Sequence, residues 1–96
     1  MLVVVSYDVC TETTAGRKRL RKISKEVLDY GNRVQYSVYE CDLEPAQWEK
    51  LKSRLLKLYD SKEDSLRFYF LGKNWRKRLE HHGQKDYLSI DDPMIL

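Results

Sequence analysis

Two features of this sequence could do chemistry: a lone carboxylate at the exit of an apolar strand, and a helical segment whose charges share one sign. Asp8 closes the run Leu2-Val3-Val4-Val5-Ser6-Tyr7-Asp8. Its β-branched and aromatic residues read as a central strand, buried on both faces where it starts and opening to water near Ser6 and Asp8. Open α/β sheets place ligands at the exits of such strands, and a carboxylate there can hold a hard cation. The plainer role is to cap the loop that follows. One carboxylate alone is a poor metal site, because magnesium takes one or two together with water and substrate phosphate. A second Asp8, brought close by a two-fold axis between copies of the chain, would supply the pair.

The segment Arg17-Lys18-Arg19-Leu20-Arg21-Lys22, with Lys25 beyond it, holds six cations in nine positions and no acid before Glu26. On a helix Arg17, Arg21 and Lys25 share one edge and Lys18 and Lys22 another, flanking the apolar stripe. Solvated faces usually mix their signs, so a one-signed ridge points to a phosphate backbone. Lys73, Arg76, Lys77 and Arg78 repeat the pattern around Trp75, an indole expected to pack the core rather than stack on a base. His81, His82 and Cys41 do not read as a zinc site, since adjacent histidines on a strand point to opposite faces and no second pair has ligand spacing. The sequence has no glycine-rich phosphate loop, serine nucleophile elbow or His-Glu-x-x-His motif. Arg67-Phe68-Tyr69-Phe70 is only a faint echo of the aromatic strand of RNA-recognition domains.

The elements that must position these residues fit one core, because the chain has only 96 residues. Hydrophobic residues at 42% and charged residues at 34% suit a small globular domain. No run approaches the ~20 apolar residues of a membrane helix, and Met1 to Val5 is too short for a signal-peptide core, so the expected location is cytoplasmic. Cys10 and Cys41 are expected to be small buried thiols. Eighteen Lys and Arg against fifteen Asp and Glu give a net charge of +3, too mild to name a partner.

Residues 16–30 read as a helix with Leu20, Ile23, Val27 and Leu28 on its apolar stripe, stopped by Gly31-Asn32. Arg33 to Leu43 is strand-like but has no Gly, Pro or Asn at its middle, so either it bends tightly near Tyr36-Ser37 or it is one kinked strand. Pro45 opens a second helix that buries Trp48, Leu51, Leu55 and Leu58. Leu66 to Leu71 is a further strand, and residues 73–84 read as a turn followed by a short strand around 78–82. Strands alternating with helices predict a ferredoxin-like α+β sandwich over residues 1–85, with a tail at 86–96. The apolar tail residues Ile90, Met94, Ile95 and Leu96, on a chain with so small a core, point to a homodimer in which the tail adds to the partner sheet.

Three segments together resemble one family: Val3-Val4-Val5-Ser6-Tyr7-Asp8-Val9, the helix opening Gly16-Arg17-Lys18-Arg19-Leu20-Arg21-Lys22, and Arg33-Val34-Gln35-Tyr36-Ser37-Val38-Tyr39-Glu40-Cys41. They look like the CRISPR-associated protein two family, the small subunit of the spacer-acquisition machinery. The resemblance implies a ferredoxin-like homodimer and makes a bend near Ser37 the more credible choice. It implies that Asp8 matches the metal-binding acidic position, one from each protomer across the dimer axis. Arg19, Arg21 and Arg33 match arginines used in nucleic-acid work, with Arg17 in contention with Arg21. Tyr7, Ser37 and Tyr39 match positions that line or support the site. The tail resembles a segment that adds to the partner's sheet and can contact the integrase subunit. Two mechanisms follow. One is a magnesium- or manganese-dependent endonuclease acting on RNA or DNA; the other is a non-catalytic scaffold that holds duplex DNA for the integrase. A third reading, of a different class, is a toxin-like or regulatory RNA-binding module on the same fold.

Overall fold

A computed structural model describes residues 1–83. The chain runs through strand β1 (Leu2–Asp8), helix α1 (Thr14–Leu28), β2 (Asn32–Gln35), β3 (Val38–Asp42), helix α2 (Pro45–Leu58), β4 (Ser65–Gly72) and a short helix α3 (Trp75–Arg78). The strands form one sheet in the order β2-β3-β1-β4. Every neighbouring pair is antiparallel, so β2 runs parallel to β1 without touching it. This is the ferredoxin-like α+β arrangement, with β1 central.

Alternation along the strands sends one set of side chains into a shared core. Val3, Val5 and Tyr7 of β1 and Tyr39 and Cys41 of β3 meet Ile23 and Val27 of α1 and Trp48, Leu51 and Leu55 of α2. Trp48 also stacks edge-on against Phe68 and Phe70 of β4, with ring centroids 4.7 and 5.5 Å apart. Such pairs contribute about 0.5–1.5 kcal/mol beyond their buried area. The opposite face of β1 carries Val4, Ser6 and Asp8, none of them fully buried.

Local chemistry explains the element ends. Thr13 caps α1, its Oγ1 accepting from the Gly16 amide at 3.0 Å. A Cβ at Gly16 would lie 1.7 Å from the Cys10 carbonyl oxygen, so only glycine lets the loop after β1 fold back onto the helix. Pro45 occupies the start of α2, as expected, and the Gln47 side chain accepts from the Glu44 amide at 2.9 Å.

The bend in the 33–43 segment is real: Tyr36-Ser37 separates β2 from β3. A two-residue hairpin normally needs positive φ at its tip, and no non-glycine residue here has one. A register shift between Arg33 and Gln35 takes up the difference. Three expectations change. Residues 78–82 do not form a strand, because α3 takes Trp75–Arg78 and the chain is irregular beyond it. Trp75 is half-buried beneath the Arg76 guanidinium, 4.5 Å from the ring centroid, and stays outside the core. Leu28 falls off the apolar stripe and is 46% exposed. The tail reading at 86–96 lies outside the described residues.

Candidate active site and nucleic-acid surface

Tyr7 and Asp8 leave β1 on opposite faces. Tyr7 is fully buried toward the helices. Asp8, paired in register with Ser65, is exposed, and its carboxylate makes no hydrogen bond or ion pair among the described residues. The capping role open to a strand-end aspartate is therefore not taken up by the described fold. Ser37 stands at the same end of the sheet, its carbonyl accepting from the Tyr7 amide at 2.9 Å.

Beneath this end lies a buried carboxylate that the sequence did not announce. Asp64, just before β4, has a side chain with no solvent exposure. Its Oδ2 accepts from the Tyr7 hydroxyl at 2.6 Å, from Arg19 Nε at 2.8 Å and from the Asp60 amide at 3.0 Å, while Oδ1 accepts from Arg19 Nη2 at 3.1 Å. Burial by itself would raise the Asp64 carboxyl, but the donors from Arg19 and Tyr7 hold it below the usual carboxylate range. Burial, and then the bond to Asp64, pushes the Tyr7 phenol well above its ordinary value. The bond to Asp64 likewise raises Arg19. The fork-shaped guanidinium suits this two-point grip, which ties α1, β1 and the start of β4 together.

The four candidate arginines thus divide. Arg19 is engaged by Asp64, with Asp60 4.0 Å away. Arg17 is exposed but braces the preceding loop, donating to the Thr11 carbonyl at 2.8 Å and the Thr14 hydroxyl at 3.2 Å. Arg33 donates to the Ser24 hydroxyl and lies 5.6 Å from the centre of the Tyr39 ring. Arg21 is exposed and makes no hydrogen bond or ion pair among the described residues. Tyr39 itself is buried and supports Arg33 from the core side; its hydroxyl has no hydrogen-bond partner among those residues.

A groove of about 540 Å³ runs between α1 and the β2–β3 hairpin, bordered by Arg21, Lys25 and Arg33 together with Leu28, Asp29 and Tyr36. Charge patterning on α1 foreshadowed its cationic wall, whereas Asp64, Asp60 and Ser24 became visible only through contacts across 45, 4 and 9 residues. Among the described residues no three His, Cys, Asp or Glu side chains gather into a metal cage. The exposed Asp8 suits instead a divalent ion that keeps most of its water and shares its ligands with a substrate or a second chain.

The chain is thus a ferredoxin-like domain with a solvent-facing acid at the exit of its central strand and a basic first helix. The family model for CRISPR associated protein Cas2 matches residues 1–79, and the chain belongs to that family. It is 58% identical, over the full length of both chains, to a protein of Chlorobaculum tepidum named CRISPR-associated endoribonuclease Cas2. With a CRISPR-associated endonuclease Cas2 of Halalkalibacterium halodurans it shares 46% identity over 99% of each chain. The crystal structure of Streptococcus pyogenes Cas2 at pH 6.5 superposes with a TM-score of 0.77 at 57% identity, covering 86% of this chain and all of that one.

Proposed function

We propose that the protein is a homodimeric, nucleic-acid-binding subunit of CRISPR spacer acquisition with divalent-metal-dependent endonuclease activity on RNA or DNA phosphodiesters. The observation that carries this reading is Asp8: a carboxylate at the exit of the central strand, facing solvent and unused by the described fold. Asp8 and its counterpart in a second copy would hold magnesium or manganese, which supplies positive charge at the scissile phosphate. Arg21 and Lys25 supply cationic surface on α1 for the phosphates of the bound polymer. Tyr7, Arg19 and Asp64 act from the other face, fixing the strand end that carries Asp8. The relatives' names, endoribonuclease and endonuclease, support the same chemistry.

One observation favours a second reading. Among the described residues no three His, Cys, Asp or Glu side chains gather to hold a metal, at Asp8 or elsewhere. A non-catalytic scaffold that presents duplex DNA to the integrase subunit needs only the basic surface. The deciding experiment compares the protein with Asp8→Ala on labelled duplex DNA and single-stranded RNA, with magnesium, manganese or chelator, following binding and cleavage together. Metal-dependent cleavage lost in Asp8→Ala with binding retained supports the nuclease. Equal binding by both with cleavage by neither leaves the scaffold. For location, the structure adds that no helix among the described residues is long and apolar enough to cross a membrane.

A further inference from the structure

The groove between α1 and the hairpin has the composition of a nucleotide site rather than of a general polyanion surface. Its cations come from two elements: Arg21 and Lys25 stand one helical turn apart on α1, and Arg33 projects from β2. Arg33 is held in place by the Ser24 hydroxyl and the Tyr39 ring, so its charge is fixed before any ligand arrives. Between the cations lie flat or apolar surfaces that solvate poorly. Tyr36, at the hairpin tip, is 87% exposed, and Leu28, displaced from the core stripe, is 46% exposed. An exposed tyrosine beside three cations offers a π-face for a base and charge for its phosphate. Asp29 is the one acid on the wall and stands just past the helix C-terminus, the end away from Tyr36.

The direction of the groove also matters. Because β2 runs parallel to β1, its hairpin tip reaches the sheet end that carries Asp8, and Ser37 there accepts from the Tyr7 amide. A strand seated along α1 with a base at Tyr36 thereby reaches the end of the sheet that carries Asp8, whose side chain leaves on the face away from the helices. Paired bases are stacked inside a duplex and cannot present a face to a side chain.

We propose that the α1–hairpin groove is a subsite for one unpaired nucleotide, its base stacked on Tyr36 and its phosphate held by Arg21 and Lys25. The subsite rests on the nucleic-acid-binding reading above and deepens it by selecting single-stranded over duplex polymer at this position. The test measures anisotropy of three labelled probes: a single-stranded 12-mer, the same strand with abasic sugars, and a 12-base-pair duplex. The proteins are the full chain, Tyr36→Ala and the double variant Arg21→Gln/Lys25→Gln. Tyr36→Ala should weaken binding of the base-bearing single strand roughly tenfold and leave the abasic strand and the duplex unchanged. The double variant should weaken both single strands and reduce the slope of log K against log salt by about 1.4.

Equal affinity of Tyr36→Ala and the unaltered protein for the base-bearing strand would overturn the subsite while leaving the basic surface intact. A change in oligomeric state on Tyr36→Ala, with nucleic-acid affinity unaltered, would assign the groove to a second copy of the chain and also overturn it. No binding of any probe at low salt by the unaltered protein would remove both the subsite and the function it rests on. Tyr36 is exposed at a hairpin tip, so its truncation leaves the core untouched.

Discussion

Removing the Asp64 carboxylate should destabilise the fold far more than its place in a charged turn implies. Asp64→Ala leaves the hydroxyl of the fully buried Tyr7 without its acceptor at 2.6 Å, a loss of about 1–3 kcal/mol. It also strips the Asp60 amide of the carboxylate that caps it at 3.0 Å, an interaction of the kind that contributes about 1 kcal/mol. The expected loss is therefore about 2–4 kcal/mol before anything is assigned to Arg19. In a domain of this size that lowers the melting temperature by at least about 8 °C. The assay is thermal and urea unfolding of both proteins at one protomer concentration, since a dimer's stability depends on concentration. A pH series supplies the second arm. Because the folded carboxyl titrates below its unfolded value of about 3.9, its contribution is present above that pH and is lost as pH falls through the folded value. The gap between wild type and Asp64→Asn should thus narrow under acid. An Asp64→Ala protein within about 0.5 kcal/mol of wild type, or a gap independent of pH down to 2, would refute the argument.

Asp8→Ala, by contrast, should unfold within about 0.5 kcal/mol of wild type at neutral pH, because the carboxylate is exposed and unpaired among the described residues; a larger loss in urea melts would assign Asp8 a structural role. Burial, followed by the nearby Glu40 charge, pushes the Cys41 thiol up to about 12, while Cys10 is only half-buried. A thiol reagent at pH 8 should label Cys10 promptly and Cys41 only on unfolding, and the raised value implies stability present below about pH 8.5 and lost as pH climbs toward the folded value. Tyr39→Phe should be neutral or up to about 1 kcal/mol stabilising, since the hydroxyl it removes is buried without a partner among the described residues; a loss above that size in calorimetry would reveal a bond to that hydroxyl.

Periodic features were legible in the sequence because they depend on residue type at fixed spacing. The alternation in β1, the Trp48-Leu51-Leu55 stripe of α2 and the position of Pro45 all carry through to the structure. The hairpin at Tyr36-Ser37 was harder, because its turn lacks glycine and adapts through a register shift in β2 instead. The strand expected around 78–82 does not form: Gly72, with φ of 78°, breaks β4, a short helix takes Trp75–Arg78 and the chain is irregular beyond it. Leu28 was assigned to the core because its spacing fits the stripe loosely. One position beyond Val27 it is rotated by about 100°, enough to bring it to the groove while the small Ser24 takes the buried place.

The site was legible on one face of β1 only, and the pleat explains why. Successive residues Tyr7 and Asp8 point to opposite sides, so one strand end serves two environments. The outward residue announces itself by type, as an acid after an apolar run. The inward one is held by Asp64, which is 57 residues away in sequence and has no local signature. The same contact withdraws Arg19 from the positive ridge and leaves Arg21 and Lys25 facing the groove. A one-signed helix is therefore not a uniform phosphate-binding surface: Arg19 anchors the strand end, Arg17 braces the loop, and the cations one turn further along remain for a ligand. Charge reversal at Arg19 should consequently lower stability along with binding, whereas the same change at Arg21 should lower binding alone. Measuring urea midpoints beside affinities separates the two, and equal midpoints for both variants would return Arg19 to the binding surface.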